Sequence, residues 1–178
     1  MSESTPTIGD PQDTFALPSR ADRSLSELVD EAKFDDVHFF FTEALEGDAI
    51  DVEPTGDDVE FALLPYEHPT KAIDDDAFDL LEEAGYQQAT VRDVLNFAIE
   101  RPNVQREYEI VALGTLRTRR VYEGKAGETV WNQTERDKTI CQWATGLSNL
   151  KKKRTFVPFE IYLDKVLRKD TLLLVRKG

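Results

Sequence analysis

An α+β fold is predicted for this chain by three observations. Helix-type patterning is confined to the part before Pro102, strand-type patterning dominates the part after it, and no internal repeat of fixed period is present. The expected architecture has N-terminal strand and helix elements plus a helix pair, about 77–84 and 91–100. These pack on a mostly antiparallel C-terminal sheet.

Each element has its own signal. The opening residues 1–14 are polar and hold Pro6 and Pro11, so a flexible N-terminal tail is expected there, followed by a single domain over 15–178. "TFALP" (14–18) fits a short strand ended by Pro18. "RSLSELVDEAKF" (23–34) fits a helix, with Ser24 and Glu27 at capping-box spacing and Leu25, Leu28, Val29 and Ala32 on one face. The aromatic run Phe39–Phe41 is expected in the core, and the acidic stretch 46–58 as a loop. "VEFALLPYE" (59–67) has strand content that should stop near Pro65.

Asp74, Asp75 and Asp76 precede the first helix of the pair, where acids favour the positive end of the helix dipole, and Gly85 follows it as a stop. Thr90 and Asp93 cap the second helix, Val91, Val94, Leu95, Ala98 and Ile99 form its buried stripe, and Pro102 ends it. Strands are then expected at 107–116, closed by Gly114 and its neighbours, and at 119–124, 139–145, 155–163 and 171–177. "GKAGE" and "NLKKKR" read as turns between them, and 155–169 fits strand or helix.

Composition narrows the function classes. No apolar run approaches the ~20 residues that span a bilayer, and the N-terminus lacks the basic start and apolar stretch of a secretory signal. Cys141 is the single cysteine, so no intrachain disulfide is available; a cytoplasmic protein without membrane association is expected. With one Cys and two His, a structural zinc site cannot close without carboxylates, and no metal or other cofactor is expected. No phosphate-loop, dinucleotide or nucleophile-elbow pattern occurs.

The stretch "LLEEAGYQQATVRDVLNFAIERPNVQREYEIVALGTL" resembles a family of small, uncharacterised bacterial proteins with an "ATLxELL…PxLQRxFPIVALGS" core. The matching residues are Gly85, Tyr86, Ala89, Thr90, Leu95, Pro102, Gln105, Arg106, Ile110, Val111, Ala112, Leu113 and Gly114. "DRSLSELVDEAKFDD" and the closing "TLLLVRKG" are similar to other parts of the family pattern. Departures fall at Gln87, Gln88 and Glu109, and residues 115–170 match poorly. The resemblance implies a shared fold and one evolved unit, and it carries no activity.

Charge gives the sharpest functional clue. Residues 1–100 hold 5 Lys and Arg against 26 Asp and Glu, net −21; residues 101–178 hold 17 against 9, net +8; together they make the formal −13. Such asymmetry speaks of partners rather than fold. "LRTRRVYEGK" gathers Arg117, Arg119, Arg120 and Lys125, and "NLKKKRTF" gathers Lys151, Lys152, Lys153 and Arg154. Clustered cations displace phosphate counterions, so the expected function is non-catalytic binding, with a nucleic acid contacted by these eight residues. Nearby Tyr122, Trp131, Trp143, Phe156 and Tyr162 are the candidates for base stacking, set against a plain core role for each.

Two other classes compete. The acidic half suits protein–protein contact in an accessory protein. Glu123 and Lys125 form an E-x-K pair of the kind that positions a metal and water in a nuclease, although Gly124 between them fits a hairpin turn. Cys141 with a histidine is better read as a buried thiol than as a nucleophile. Arg106 lies where no local rule demands it, and a buried or interface ion pair is expected for it. A macromolecular partner is favoured over a small molecule; the sequence does not indicate an oligomeric state.

Overall fold

Four consecutive apolar residues in a strand point alternately to opposite faces, so a strand that buries all four must be covered on both sides. Three strands of this protein do this: Phe61–Leu64, Ile110–Leu113 and Leu172–Val175 are all buried. The computed structural model describes residues 7–39, 41–42, 53–67, 75–122, 125–133, 140–161 and 170–178. At 75, 76, 116–122, 125–133, 140–142, 160 and 161 the backbone alone is described.

The strands are β1 Thr7–Ile8, β2 Asp13–Ala16, β3 Asp36–Val37, β4 Glu60–Glu67, β5 Tyr86–Gln88, β6 Glu109–Tyr122, β7 Lys125–Gln133, β8 Ile140–Ser148, β9 Thr155–Ile161 and β10 Thr171–Lys177. The helices are α1 Leu25–Ala32, α2 Asp75–Glu83, α3 Val91–Glu100 and the single turn α4 Val104–Glu107, with a 3-10 turn at Leu150–Lys152. The sheet runs β1-β4-β10-β6-β8-β9-β3, with β2 beside β4, β5 beside β10 and β7 beside β6. Pairing is antiparallel except between β10 and β6 and between β3 and β9. This is a mixed α+β fold with a mostly antiparallel sheet. No helix among the described residues is long and apolar enough to cross a membrane.

Residue parity divides the core in two. Phe61, Leu63, Ile110, Ala112, Leu172 and Leu174 pack with Leu28 and Ala32 of α1 and with Val91, Val94, Leu95 and Ala98 of α3. Their strand neighbours Ala62, Leu64, Val111, Leu113, Leu173 and Val175 pack with Ala77, Phe78 and Leu81 of α2. The two helices expected as a pair therefore form as helices but lie on opposite faces of the sheet. The intervening β5 carries the chain along β10 from one layer to the other.

The helix starts follow their sequence signals. Ser24 accepts from the Glu27 N–H at 3.1 Å while Glu27 accepts from the Ser24 N–H at 2.7 Å. These bonds hold the Glu27 carboxyl below the usual range, the backbone bond from Ser24 being the largest cause. At α3, Asp93 accepts from the Thr90 N–H at 2.8 Å. It also accepts from Thr55 Oγ1 at 2.6 Å and Arg176 Nε at 2.8 Å, so a helix-capping carboxylate doubles as the fully buried tie between α3 and β10.

Several boundaries differ from the expectation. Within the stretch 1–14 expected as a tail, residues 7–8 and 13–14 pair with β4, the latter as the start of a strand that continues through 16, because Pro11 separates two short edge strands without preventing either. β4 runs through Pro65, the last β4 residue registered against β10, where a missing donor disturbs little of the ladder. Of the segments 107–116 and 119–124, residues 109–116 and 119–122 belong to one strand, β6, while 123–124 lie outside the described residues, and the polar "KAGETVWNQ" forms β7 beside it. Gly114 lies inside β6 and closes nothing. Its N–H donates to Ala89 O at 2.8 Å, and a Cβ there would sit 2.5 Å from that oxygen, so the glycine permits close approach of the α3 entry. Within 155–169, Thr155–Ile161 is strand; 162–169, including Tyr162, lie outside the described residues.

The aromatic run is divided too. Phe41 is buried and stacks on Phe156 at 4.1 Å, Phe39 is 61 % exposed, and Phe40 lies outside the described residues. Asp75 starts α2, Asp74 lies outside the described residues and the Asp76 side chain is not described.

The Asp93 tie yields a test. Asp93→Ala strips Arg176 of its buried counter-charge and α3 of its cap, and is expected to cost about 3 kcal/mol in urea unfolding. Asp93→Asn, which can still accept from the Thr90 N–H, should cost less than Asp93→Ala.

Candidate nucleic-acid interface

The turn between β8 and β9 carries the "KKKR" run. Lys151, Lys152 and Lys153 are exposed. Lys151 and Lys152 both adopt positive φ, 56° and 61°, in the left-handed region that most side chains avoid. A turn of that shape persists only when its surroundings hold it, and three contacts do so. Gln105 Nε2 donates to Ser148 O at 3.0 Å and to Thr155 O at 3.2 Å, clamping both ends. Asn149 Nδ2 donates to Arg106 O at 2.9 Å. The third is Arg154.

Arg154 is not one of the solvent-facing cations; it is 7 % exposed. Its Nη1 donates to Ala32 O at 2.9 Å and Lys33 O at 3.3 Å, and its Nη2 donates to Ala98 O at 3.0 Å. These carbonyls lie at the C-terminal ends of α1 and α3, where helix dipoles concentrate negative potential. Pro102 has no N–H to give the carbonyl four residues earlier, so Ala98 O needs another donor. The backbone of Arg154 joins the same knot. Its N–H donates to Asp35 Oδ2 at 2.8 Å, and its carbonyl accepts from the Asp35 N–H at 2.9 Å. Phe34 lies 5.4 Å from the guanidinium. Burial lowers the pKa of Arg154, the Arg106 charge lowers it further, and Asp35 opposes both.

Arg154 therefore belongs to the framework rather than to the exposed cations of the run: its Nη donors are committed to helix ends. Arg106, expected in a buried or interface ion pair, is not buried. It is exposed on α4, and no carboxylate pairs with it among the described residues. Lys151, Lys152 and Lys153 likewise have no ion pair among the described residues. Arg106, Asn149, Lys152, Lys153 and Arg154 line one cleft of about 390 Å³. Leu150, 61 % exposed, stands beside it in the chain.

The other basic cluster is elsewhere. Arg117, Arg119 and Arg120 register against Trp143, Cys141 and Ile140, at the start of β8, whereas the lysine turn follows its end at Ser148. At ~3.3 Å per strand residue the two groups are roughly 15–25 Å apart along the sheet. Their backbones lie toward opposite ends of β8. Lys125 opens β7 opposite Tyr122. Glu123, the other half of the E-x-K pair, lies outside the described residues. Of the stacking candidates, Phe156 is core and Trp143 is partly buried; the side chains of Tyr122 and Trp131 are not described. Among the described residues no group of three or more His, Cys, Asp or Glu side chains is placed to hold a metal ion.

Comparison with protein-family models, with curated proteins and with solved structures finds no match for this chain.

Sequence reasoning missed the cleft because Arg106 and the turn are 43 residues apart at the Asn149 contact. One signal was available. Pro102 strips Ala98 of its helical donor, which calls for an outside donor at that helix end.

If Arg154 holds two helix ends to the turn, Arg154→Ala is expected to cost about 3 kcal/mol in urea unfolding, from unsatisfied buried carbonyls and lost packing. Arg154→Lys should recover only part of this, since an ammonium cannot reproduce the planar fork.

Proposed function

We propose that this protein is a non-catalytic binding protein that contacts the phosphates of a nucleic acid through the turn 149–153 and Arg106. The observation that carries the reading is the set of four exposed cations, Arg106, Lys151, Lys152 and Lys153, without carboxylate partners among the described residues of a chain of net charge −13. In so acidic a protein, surface lysines have abundant carboxylates to pair with. Cations left together on a turn fixed in an uncommon backbone shape suit an external anion.

Leu150 offers apolar surface next to the lysines, suited to a sugar or base face. The acidic half sets the character of the contact. It repels phosphate from its own surface, which confines the footprint to the basic half. Arg117, Arg119, Arg120 and Lys125 extend the contact if the ligand follows the sheet toward the start of β8. A cytoplasmic location agrees with such a partner.

The test is fluorescence anisotropy of labelled single- and double-stranded oligonucleotides across a salt series. About three or four phosphate contacts give a slope of log K against log[salt] near −3 on duplex. Lys151→Gln/Lys152→Gln/Lys153→Gln should flatten that slope to about −1. Absence of binding at low salt would remove the nucleic-acid reading in favour of a protein partner for the acidic surface.

A further inference from the structure

The cleft beside the turn is built differently from a surface that merely tracks a phosphate backbone. Its cations come from two elements that the fold locks together. Arg106 stands on α4, and Lys152 and Lys153 on the turn; Asn149 bonds the Arg106 carbonyl and lines the cleft as well. Behind them lies Arg154, a buried guanidinium with no carboxylate within 4 Å among the described residues. Its Nε has no hydrogen-bond partner among the described residues. Asp35 meets the Arg154 backbone N–H rather than the guanidinium. Arg106 and Arg154 repel each other across this wall. Four positive charges converge on one concave space, and among the described residues no carboxylate pairs with any of the four side chains.

A diester phosphate inside a strand carries one negative charge and has sugar on both sides. A phosphate monoester carries about −1.5 to −2 at neutral pH, presents three acceptor oxygens and is joined to its carrier on one side only. A concave site with several converging donors matches the second group. We propose that the cleft lined by Arg106, Asn149, Lys152, Lys153 and Arg154 seats a terminal phosphate monoester. This assignment rests on the nucleic-acid reading above for its carrier, the phosphorylated end of a strand. A free nucleotide bears the same group, and the experiment separates the two sources.

Labelled single-stranded 12-mers identical except for a 5′-phosphate, a 3′-phosphate or a 5′-hydroxyl end are titrated with the full chain, and nucleoside 5′-monophosphate is titrated separately by calorimetry. A phosphorylated end is expected to tighten binding about tenfold over the hydroxyl end. Arg106→Gln and Lys152→Gln/Lys153→Gln should abolish that ratio. Both alter exposed side chains, so each is checked for an unchanged unfolding midpoint. Lys151→Gln, which does not line the cleft, should weaken all oligonucleotides together and keep the ratio.

Equal, salt-sensitive binding of phosphorylated and hydroxyl ends overturns the cleft assignment and leaves the nucleic-acid reading intact. Binding of the mononucleotide alone, lost in Arg106→Gln, keeps the cleft assignment and removes the nucleic acid as its carrier. No binding of any probe overturns both.

Discussion

The buried guanidinium of Arg154 is the constraint on which the rest of this structure turns. The helices α1 and α3 both end beside Arg154, and each leaves carbonyls that no helical N–H can reach. Pro102 makes the deficit at Ala98 unavoidable. A single Arg from the start of β9 supplies donors to both helix ends, and its own backbone binds Asp35. A planar guanidinium reaches the two helices with two separate Nη groups held in fixed directions. The consequence reaches the surface. The residues just before Arg154 cannot drift, and Gln105 clamps the turn from the other side. Three lysines are thereby displayed in a shape that they would not hold alone.

The sheet explains why such a clamp is needed. Alternate residues of β4, β6 and β10 feed two separate cores, one under α1 and α3 and one under α2. Burial on both faces places the middle of the sheet firmly. It does little for the ends of the helices, which must be secured by polar contacts. Asp93 does this at the start of α3 and Arg154 at its end. The same chain that is acidic over its first 100 residues thus spends two of its buried charges on joining the acidic half to the basic half: Arg176 meets Asp93, and Arg154 meets the ends of α1 and α3.

Much of this was legible in the residues. Ser24 with Glu27 and Thr90 with Asp93 announced their helices, and "TLLLVRK" announced its strand, because caps and apolar runs act over a few residues. Elements that depend on a distant partner were not legible. "KAGETVWNQ" is polar enough to pass for a turn and is a strand because β6 lies beside it. Pro65 looks like a stop and is tolerated because the β10 register ends there. The site divides in the same way. A run of four cations reads as one patch, yet Lys151–Lys153 face water and Arg154 is core, a distinction made by carbonyls 56 to 122 residues away. Arg106 joins the site only through the fold.

Amide shift mapping would show whether the framework Arg154 presents an anion-binding turn. A ¹⁵N-labelled sample of the chain would be titrated with a 5′-phosphorylated 12-mer at low salt. The amides of Arg106 and of residues 149–154 are expected to move first and furthest. Helix-end amides of α1 and α3 should follow through Arg154, and the acidic face should stay still. Shifts centred on the start of β8, or on the acidic half, with 149–154 unmoved would contradict it.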